Sequence, residues 1–175
     1  MPVHPDGLPE WAWALGRPPA AGVIRSEPED FQVEELPLIE PAGEGNHLWL
    51  EVRKRGAHTN WVASQLARAA GVKPREVGFA GMKDRHGVTS QWFSIGMQEA
   101  ADDDWNSWTI EGVEFLQAQR HGRKLRRGTL AGNRFMIVVR QFEGDTGKLL
   151  DRIEQINLEG IPNYFGPQRF GHGGR

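Results

Sequence analysis

The sequence contains no cysteine. That excludes disulfides, thiolate catalysis, iron–sulfur clusters and cysteine zinc sites, and it fits a reducing compartment. Tyrosine is scarce, with one against seven tryptophans, a ratio that a tryptophan-rich core explains as well as a ligand platform does. No apolar stretch approaches the ~20 residues of a membrane span. The N-terminus lacks the basic-then-apolar order of a secretory signal, so a cytoplasmic protein with no membrane contact is expected. Net charge is only −2, which leaves any nucleic-acid binding to local patches. The six histidines show no H-x-x-x-H or H-E-x-x-H spacing, so a metal site has little support. No G-x-S-x-G elbow is present for serine-based acyl transfer.

What is there suits one soluble, folded domain: 175 residues, 38% apolar and 25% charged, enough to bury a core. Residues 1–20 carry five prolines and read as an extended arm, pinned by Trp11, Trp13 and Leu15. From Gly22 the pattern turns to strands. Val23–Arg25 is short, and Phe31 to Leu36 alternates with Phe31 and Val33 on one face. His47 to Arg55 alternates clearly, with Leu48, Leu50 and Val52 opposite Trp49, Glu51 and Arg53. Thr59 is expected to cap a helix in which Trp61, Val62, Leu66 and Ala69 recur at helical spacing, with Gly71 as its stop. Residues 98–107 are acidic and read as a surface connection. Trp108 to Gln119 reads as a strand with an irregularity at Gly112. Arg134 to Arg140 is nearly continuously apolar, as in a central strand covered on both faces. A helix follows from about Asp145 to Leu158, with Leu149, Ile153 and Ile156 on one face. The chain then stops inside a segment with the complexity of a folded one, so a fragment is expected.

One stretch stands apart. Gly78 to Ser94 runs from a short apolar approach into Lys83-Asp84-Arg85-His86, bracketed by Gly78, Gly81 and Gly87, and then into an alternating strand. An acid among three potentially cationic groups on a glycine-hinged loop reads either as an ordinary charged turn or as a candidate reactive site. Gly78-x-x-Gly81-x-Lys83 lacks the spacing of a phosphate loop, and Asp84 stands where its magnesium-binding hydroxyl belongs. Asp84 is therefore the candidate nucleophile, with Lys83, Arg85 and Arg25 as electrostatic partners. Arg120 to Arg127 holds five Lys/Arg and is the densest basic run. It reads either as a solvated charge run or as a phosphate contact, supported in the second case by Arg53-Lys-Arg55 and Lys73-Pro-Arg75. Phe31, Phe79, Trp92 and Phe135 are candidate platforms for an extruded base.

The Gly78–Ser94 stretch closely resembles the signature of the TruD family of pseudouridine synthases, which modify uridine 13 of tRNA. The likeness extends in collinear order over about residues 22–175. It takes in Glu29-Asp-Phe31 with Val33-Glu34, Gly45-Asn-His47, Asn60 to Ala67, His121 to Phe135, and Pro162 to Gly171. It implies that Asp84 attacks the target uridine at C6 of the base or C1′ of the ribose, after which the uracil turns and C5 rejoins the sugar. Arg25 would hold the Asp84 carboxylate and Lys83 would accompany it. Phe31, Asn133 and Phe135 would contact the flipped base, while Arg123, Lys124 and Arg126 would contact phosphate. No cofactor or metal is implied, and the partner is tRNA, with a monomeric full-length protein.

The implied fold is α+β, a mixed and largely antiparallel sheet with helices on one face. Residues 1–21 would be an arm, 22–160 the N-terminal part of the catalytic domain, and 161–175 the start of an inserted domain, cut short. The alternative is a non-catalytic RNA-binding fragment.

Overall fold

The alternating stretches become eight strands and the two periodic stretches become helices in a computed structural model that describes residues 13–97 and 104–162. In chain order these are β1 (Ala20–Ile24), β2 (Phe31–Pro37), β3 (His47–Arg55), α1 (Thr59–Ala69), β4 (Val77–Phe79), β5 (Val88–Gly96), β6 (Val113–His121), β7 (Leu130–Ile137), β8 (Val139–Gly144) and α2 (Thr146–Glu159). The expected pinning by Trp11, the acidic residues 98–103 and the Pro162–Gly171 motif beyond Pro162 lie outside the described residues. The chain divides into two compact units, Val23–Arg140 and the remainder. The smaller unit holds α2 and most of a two-stranded ribbon in which β1 pairs with β8. Asp145 caps α2 by accepting the Lys148 amide at 3.0 Å. Trp13 is about half exposed.

The larger unit is a mixed, largely antiparallel α+β sheet in the order β6-β3-β5-β2-β7, with β4 also on β5. Only β2 and β5 run parallel. Along one edge β5 pairs with β3 over its whole length. The other edge is shared, because β2 takes Val88 to Ser90 and β4 takes Phe93 to Ile95. The ladder is therefore broken at Gln91 and Trp92. Glu35, the next inward-facing residue of β2, fills the break. One of its carboxylate oxygens accepts the Trp92 amide at 3.3 Å and the other accepts the Lys83 ammonium at 2.6 Å. Both charged side chains are almost wholly buried.

One face of the sheet carries Leu48, Leu50, Val52, Phe93 and Ile95, and α1 lays Val62, Ala63, Leu66 and Ala67 over them. Side chains of this size are worth roughly 1.5–3 kcal/mol each when buried. Farther along, that face turns polar, with Lys54, Thr89, Gln91 and Glu35 all buried. Here the covering is the loop at 80–87 rather than the helix. On the opposite face Trp49 and Trp92 pack against Leu125, which explains why Trp49 is buried although it alternates with the Leu48 face.

Three expectations are corrected. Arg134 to Arg140 is not a central strand. β7 ends at Ile137, lies at the end of the sheet order, and leaves Phe135, Met136, Ile137 and Val138 exposed. The strand expected from Trp108 begins at Val113, because Gly112 sits at φ +71 in a tight turn closed by an Ile110–Val113 bridge. Thr59 is not the cap of α1. His58 holds that position, and Trp61 and Ala69 point outward because the buried positions run 62, 63, 66 and 67. Gly71, at φ +65, does end the helix.

The Glu35–Lys83 pair yields a direct test. Glu35→Ala leaves a buried ammonium without its counter-charge, and the expected loss is about 3–5 kcal/mol in urea unfolding. Replacing both partners together, as Glu35→Leu with Lys83→Met, is expected to cost far less. A single-variant loss below about 1 kcal/mol would mean the pair does not join the sheet to the loop.

Candidate active site

The loop between β4 and β5 is held from beneath at nearly every residue. The Ala80 carbonyl accepts the Gly128 amide at 2.8 Å, and the Gly81 carbonyl accepts the Gln91 side-chain amide at 3.0 Å. The Lys83 amide donates to the Thr59 hydroxyl at 3.0 Å, and that hydroxyl donates to Gln91 at 2.9 Å. The hydroxyl that sequence reading assigned to a helix cap thus serves the loop. At Gly87 the loop passes so close to β2 that an added Cβ would lie 2.6 Å from the Phe31 carbonyl oxygen.

Lys54 completes the scaffold. Its ammonium donates to the carbonyls of Asp84 at 2.7 Å, Ala57 at 2.8 Å and Lys83 at 3.4 Å. The side chain is fully buried, and this desolvation pulls its pKa down from 10.5 to about 8, against the opposing pull of the Asp84 charge. The sequence reading counted Lys54 among surface phosphate contacts, and the structure corrects that. The signal was present, because Lys54 continues the inward phase of Leu48, Leu50 and Val52.

With Lys83 turned inward, Asp84 faces out. Its carboxylate lies 3.8 Å from the Arg25 guanidinium, and both side chains are about two-fifths exposed. Arg25 adopts φ +61, a left-handed conformation that an arginine avoids. Such strain persists where the surroundings impose it, and it clusters at functional sites. The same guanidinium lies over the Phe31 ring at 3.7 Å, within cation–π range. Phe31 in turn meets Phe135 at a ring-centre distance of 6.0 Å. Val33 is in register with Phe135, which makes Phe31 and Phe135 diagonal neighbours on one sheet face, and Asn133 stands directly opposite Glu35. Asn133 and Phe135 are exposed while Phe31 is buried. Asp84, Arg25, Phe31 and Phe135 therefore form one chain of contacts, with Asn133 two residues along β7. Asp30, whose carboxylate Arg140 grips at 2.7 and 2.8 Å, anchors the start of β2 and was not singled out in the sequence. The Arg140 hydrogen bonds hold the Asp30 pKa below its usual value.

The basic run divides. Arg120 is buried and donates to the Met97 carbonyl at 3.0 Å. Leu125 roots the segment on the tryptophan face, helped by the Trp49 indole, which donates to the Arg123 carbonyl at 2.8 Å. Lys124 reaches the Arg75 carbonyl, and Arg127 lies over the Phe79 ring at 4.1 Å. Arg123, Lys124 and Arg126 stay exposed. Arg53 pairs with Glu114 and Arg55 with Glu29, which weakens the reading of that triplet as a phosphate patch. Trp92 is buried and unavailable as a platform. Among the described residues no group of His, Asp and Glu converges as a metal site would.

Comparison with known proteins adds the context for this geometry. The family model described as tRNA pseudouridine synthase D (TruD) matches residues 11–173. A tRNA pseudouridine synthase D of Methylococcus capsulatus is 51% identical over 177 residues, covering 100% of this chain and 50% of the relative. One from Nitrosococcus oceani is 51% identical over 164 residues, covering 91% of this chain and 45% of its own length. A crystal structure from Methanosarcina mazei named as TruD superposes with a TM-score of 0.77 at 33% identity, over 86% of this chain and 35% of that one. The chain thus spans about half the length of the curated relatives it matches.

Lys54 makes the scaffold sensitive to pH in a defined direction. Its folded pKa of about 8 lies below the unfolded value near ~10.4, so between those values the folded state binds fewer protons. The cost of keeping the ammonium buried is fully present below pH ~8 and is relieved as pH rises through that window. Relative to Lys54→Met, the unfolding free energy is expected to gain about 2 kcal/mol between pH ~7.5 and ~10 in urea titrations. A difference that does not change with pH would contradict the desolvated placement.

Proposed function

The chain belongs to the TruD family of tRNA pseudouridine synthases, and on that premise we propose that the full-length protein isomerises uridine 13 of tRNA to pseudouridine, with Asp84 as the nucleophile. The observation that carries this reading is the position of Asp84. It is the loop's outward carboxylate, beside the Arg25 cation, on a backbone held by Lys54, Thr59 and the Lys83–Glu35 pair.

In this reading the target base leaves the RNA stack, at a cost of a few kcal/mol. Phosphate contacts from Arg123, Lys124 and Arg126 offset that cost. Phe135 packs on the base and Asn133 hydrogen-bonds it, with Phe31 behind them. A carboxylate oxygen of Asp84 adds to C6 of the uracil or to C1′ of the ribose, and the bond between N1 and C1′ breaks. The uracil turns, C5 bonds to C1′, the proton on C5 departs, and the carboxylate is released. An isomerisation moves no net electrons, so the proposal calls for no redox cofactor, and none of its steps uses a metal. Arg25 orients the carboxylate, and Lys83 holds its backbone through Glu35.

The proposal also covers organisation. Residues 1–21 are assigned to an arm, 22–160 to the catalytic domain and 161–175 to the start of an inserted domain. The half of the full-length protein beyond this chain would cover the exposed side of β7, whose Met136 and Ile137 are otherwise open to water. A cytoplasmic, monomeric enzyme is the expected whole.

Asp84→Asn and Asp84→Ala in the full-length protein should lower pseudouridine formation on a tRNA transcript by at least about a thousandfold. Binding of the same transcript should survive in Asp84→Asn. Near-normal turnover in either variant would remove Asp84 as nucleophile. A wild type that binds tRNA but forms no pseudouridine would favour the non-catalytic RNA-binding reading.

A further inference from the structure

Beside the Asp84 loop lies a second hollow, of about 540 Å³, that the proposed chemistry does not use. Arg55, His58, Trp61, Arg85 and Glu111 line it. It adjoins the reactive loop, because Arg85 follows Asp84 and its guanidinium Nε donates to the Gly56 carbonyl in the hollow's wall at 3.3 Å. The Lys54 ammonium also bridges the two, through the carbonyls of Ala57, another wall residue, and Asp84. Two features of the lining suit a bound ligand. Trp61 is 42% exposed on the first turn of α1, although the core face of that helix is complete without it. Arg85 pairs with no carboxylate among the described residues, whereas Arg55 is already held by Glu29.

We propose that this hollow holds the unpaired nucleotide next to the target uridine, its base stacked on Trp61 and its phosphate on Arg85. This rests on the reading of the chain as an RNA-modifying enzyme. Exposed aromatics and guanidinium planes are what single-stranded RNA is recognised by, because every base offers a π face. The volume lies within the range of small-ligand sites. Arg85 is the exposed cation of the lining that has no carboxylate partner among the described residues, and it can meet a phosphate. Glu29 neutralises Arg55, which leaves Arg85 as the main phosphate contact. The hollow would then hold the neighbouring nucleotide while Asp84 works on the flipped one, fixing the strand on both sides of the backbone turn that flipping requires.

The test is a double-mutant cycle on the full-length protein and a tRNA transcript, read as binding affinity. One arm is Trp61→Ala, and the other is a transcript made abasic at a nucleotide flanking the target, each flanking position tried in turn. Each change alone is expected to weaken binding roughly 5- to 150-fold, the range for losing one base–aromatic stack. Together they should weaken it no more than one does, and Trp61→Phe should recover most of the loss. Arg85→Gln should lower the salt slope of log affinity by about one phosphate's worth, near 0.7. Full additivity at both flanking positions would overturn the site, and so would an unchanged affinity in Trp61→Ala. The abasic arm needs no protein variant, so a folding defect in Trp61→Ala leaves the wild-type comparison intact: no loss at either position also overturns the site. A protein that shows the expected cycle but forms no pseudouridine would overturn the catalytic reading alone. No binding to the intact transcript would overturn both.

Discussion

The buried ion pair between Glu35 and Lys83 is the constraint on which the rest of the larger unit depends. Neither charge can be left alone at that depth, since each costs several kcal/mol to desolvate without its partner. The pair also solves a backbone problem. Two strands share one edge of β5, the ladder between them is broken, and the Glu35 carboxylate receives the amide that the break exposes. The loop that crosses this break cannot move without separating the two charges. The lysine next to Asp84 has therefore been drawn inward, and Asp84 is left as the outward group.

A division of charge follows from that arrangement. Inside, Lys54, Lys83 and Glu35 satisfy one another or the loop's carbonyls, and they are spent on rigidity. Outside, Arg25 and Arg85 stand beside Asp84, while Arg123 and Arg126 are exposed on the segment rooted by Leu125. This is how a chain of net charge −2 can present a locally basic approach to an anionic polymer. Preorganisation of this kind matters for a covalent step, because a misplaced nucleophile loses the advantage of proximity. The left-handed backbone at Arg25 fits the same logic, since strain there brings one guanidinium within reach of both the acid and the Phe31 ring.

Much of the scaffold was legible in the chain. The alternation in β2 and β3 marked their inward faces, and Gly71 marked the end of α1. Asp84, Arg25, Phe31 and Phe135 stand out in the sequence, and the structure links them in one chain of contacts. What escaped was the polar interior. Glu35 and Lys54 occupy the inward phase of their strands, so simple alternation marks them as buried, yet polarity argued for the surface, and only the neighbouring loop explains the exception. The strand at Arg134–Ile137 failed for the opposite reason. Its apolar run reads as a covered centre, but coverage is supplied by other segments, and this chain spans only half the length of its relatives. Trp61 was assigned to the core because an isolated helix pattern cannot show which of two adjacent apolar residues wins the inward position.

The central claim is a covalent bond to Asp84, and it can be observed rather than inferred. The full-length protein would be given a tRNA transcript with 5-fluorouridine at the target, where fluorine replaces the C5 hydrogen whose loss completes the reaction. Denaturation, nuclease digestion and tandem mass spectrometry would then locate any nucleotide left on the protein. The account predicts a uridine-derived mass on the peptide containing Asp84, absent in Asp84→Asn. A label on another residue would contradict it, as would no label from a protein that converts ordinary tRNA.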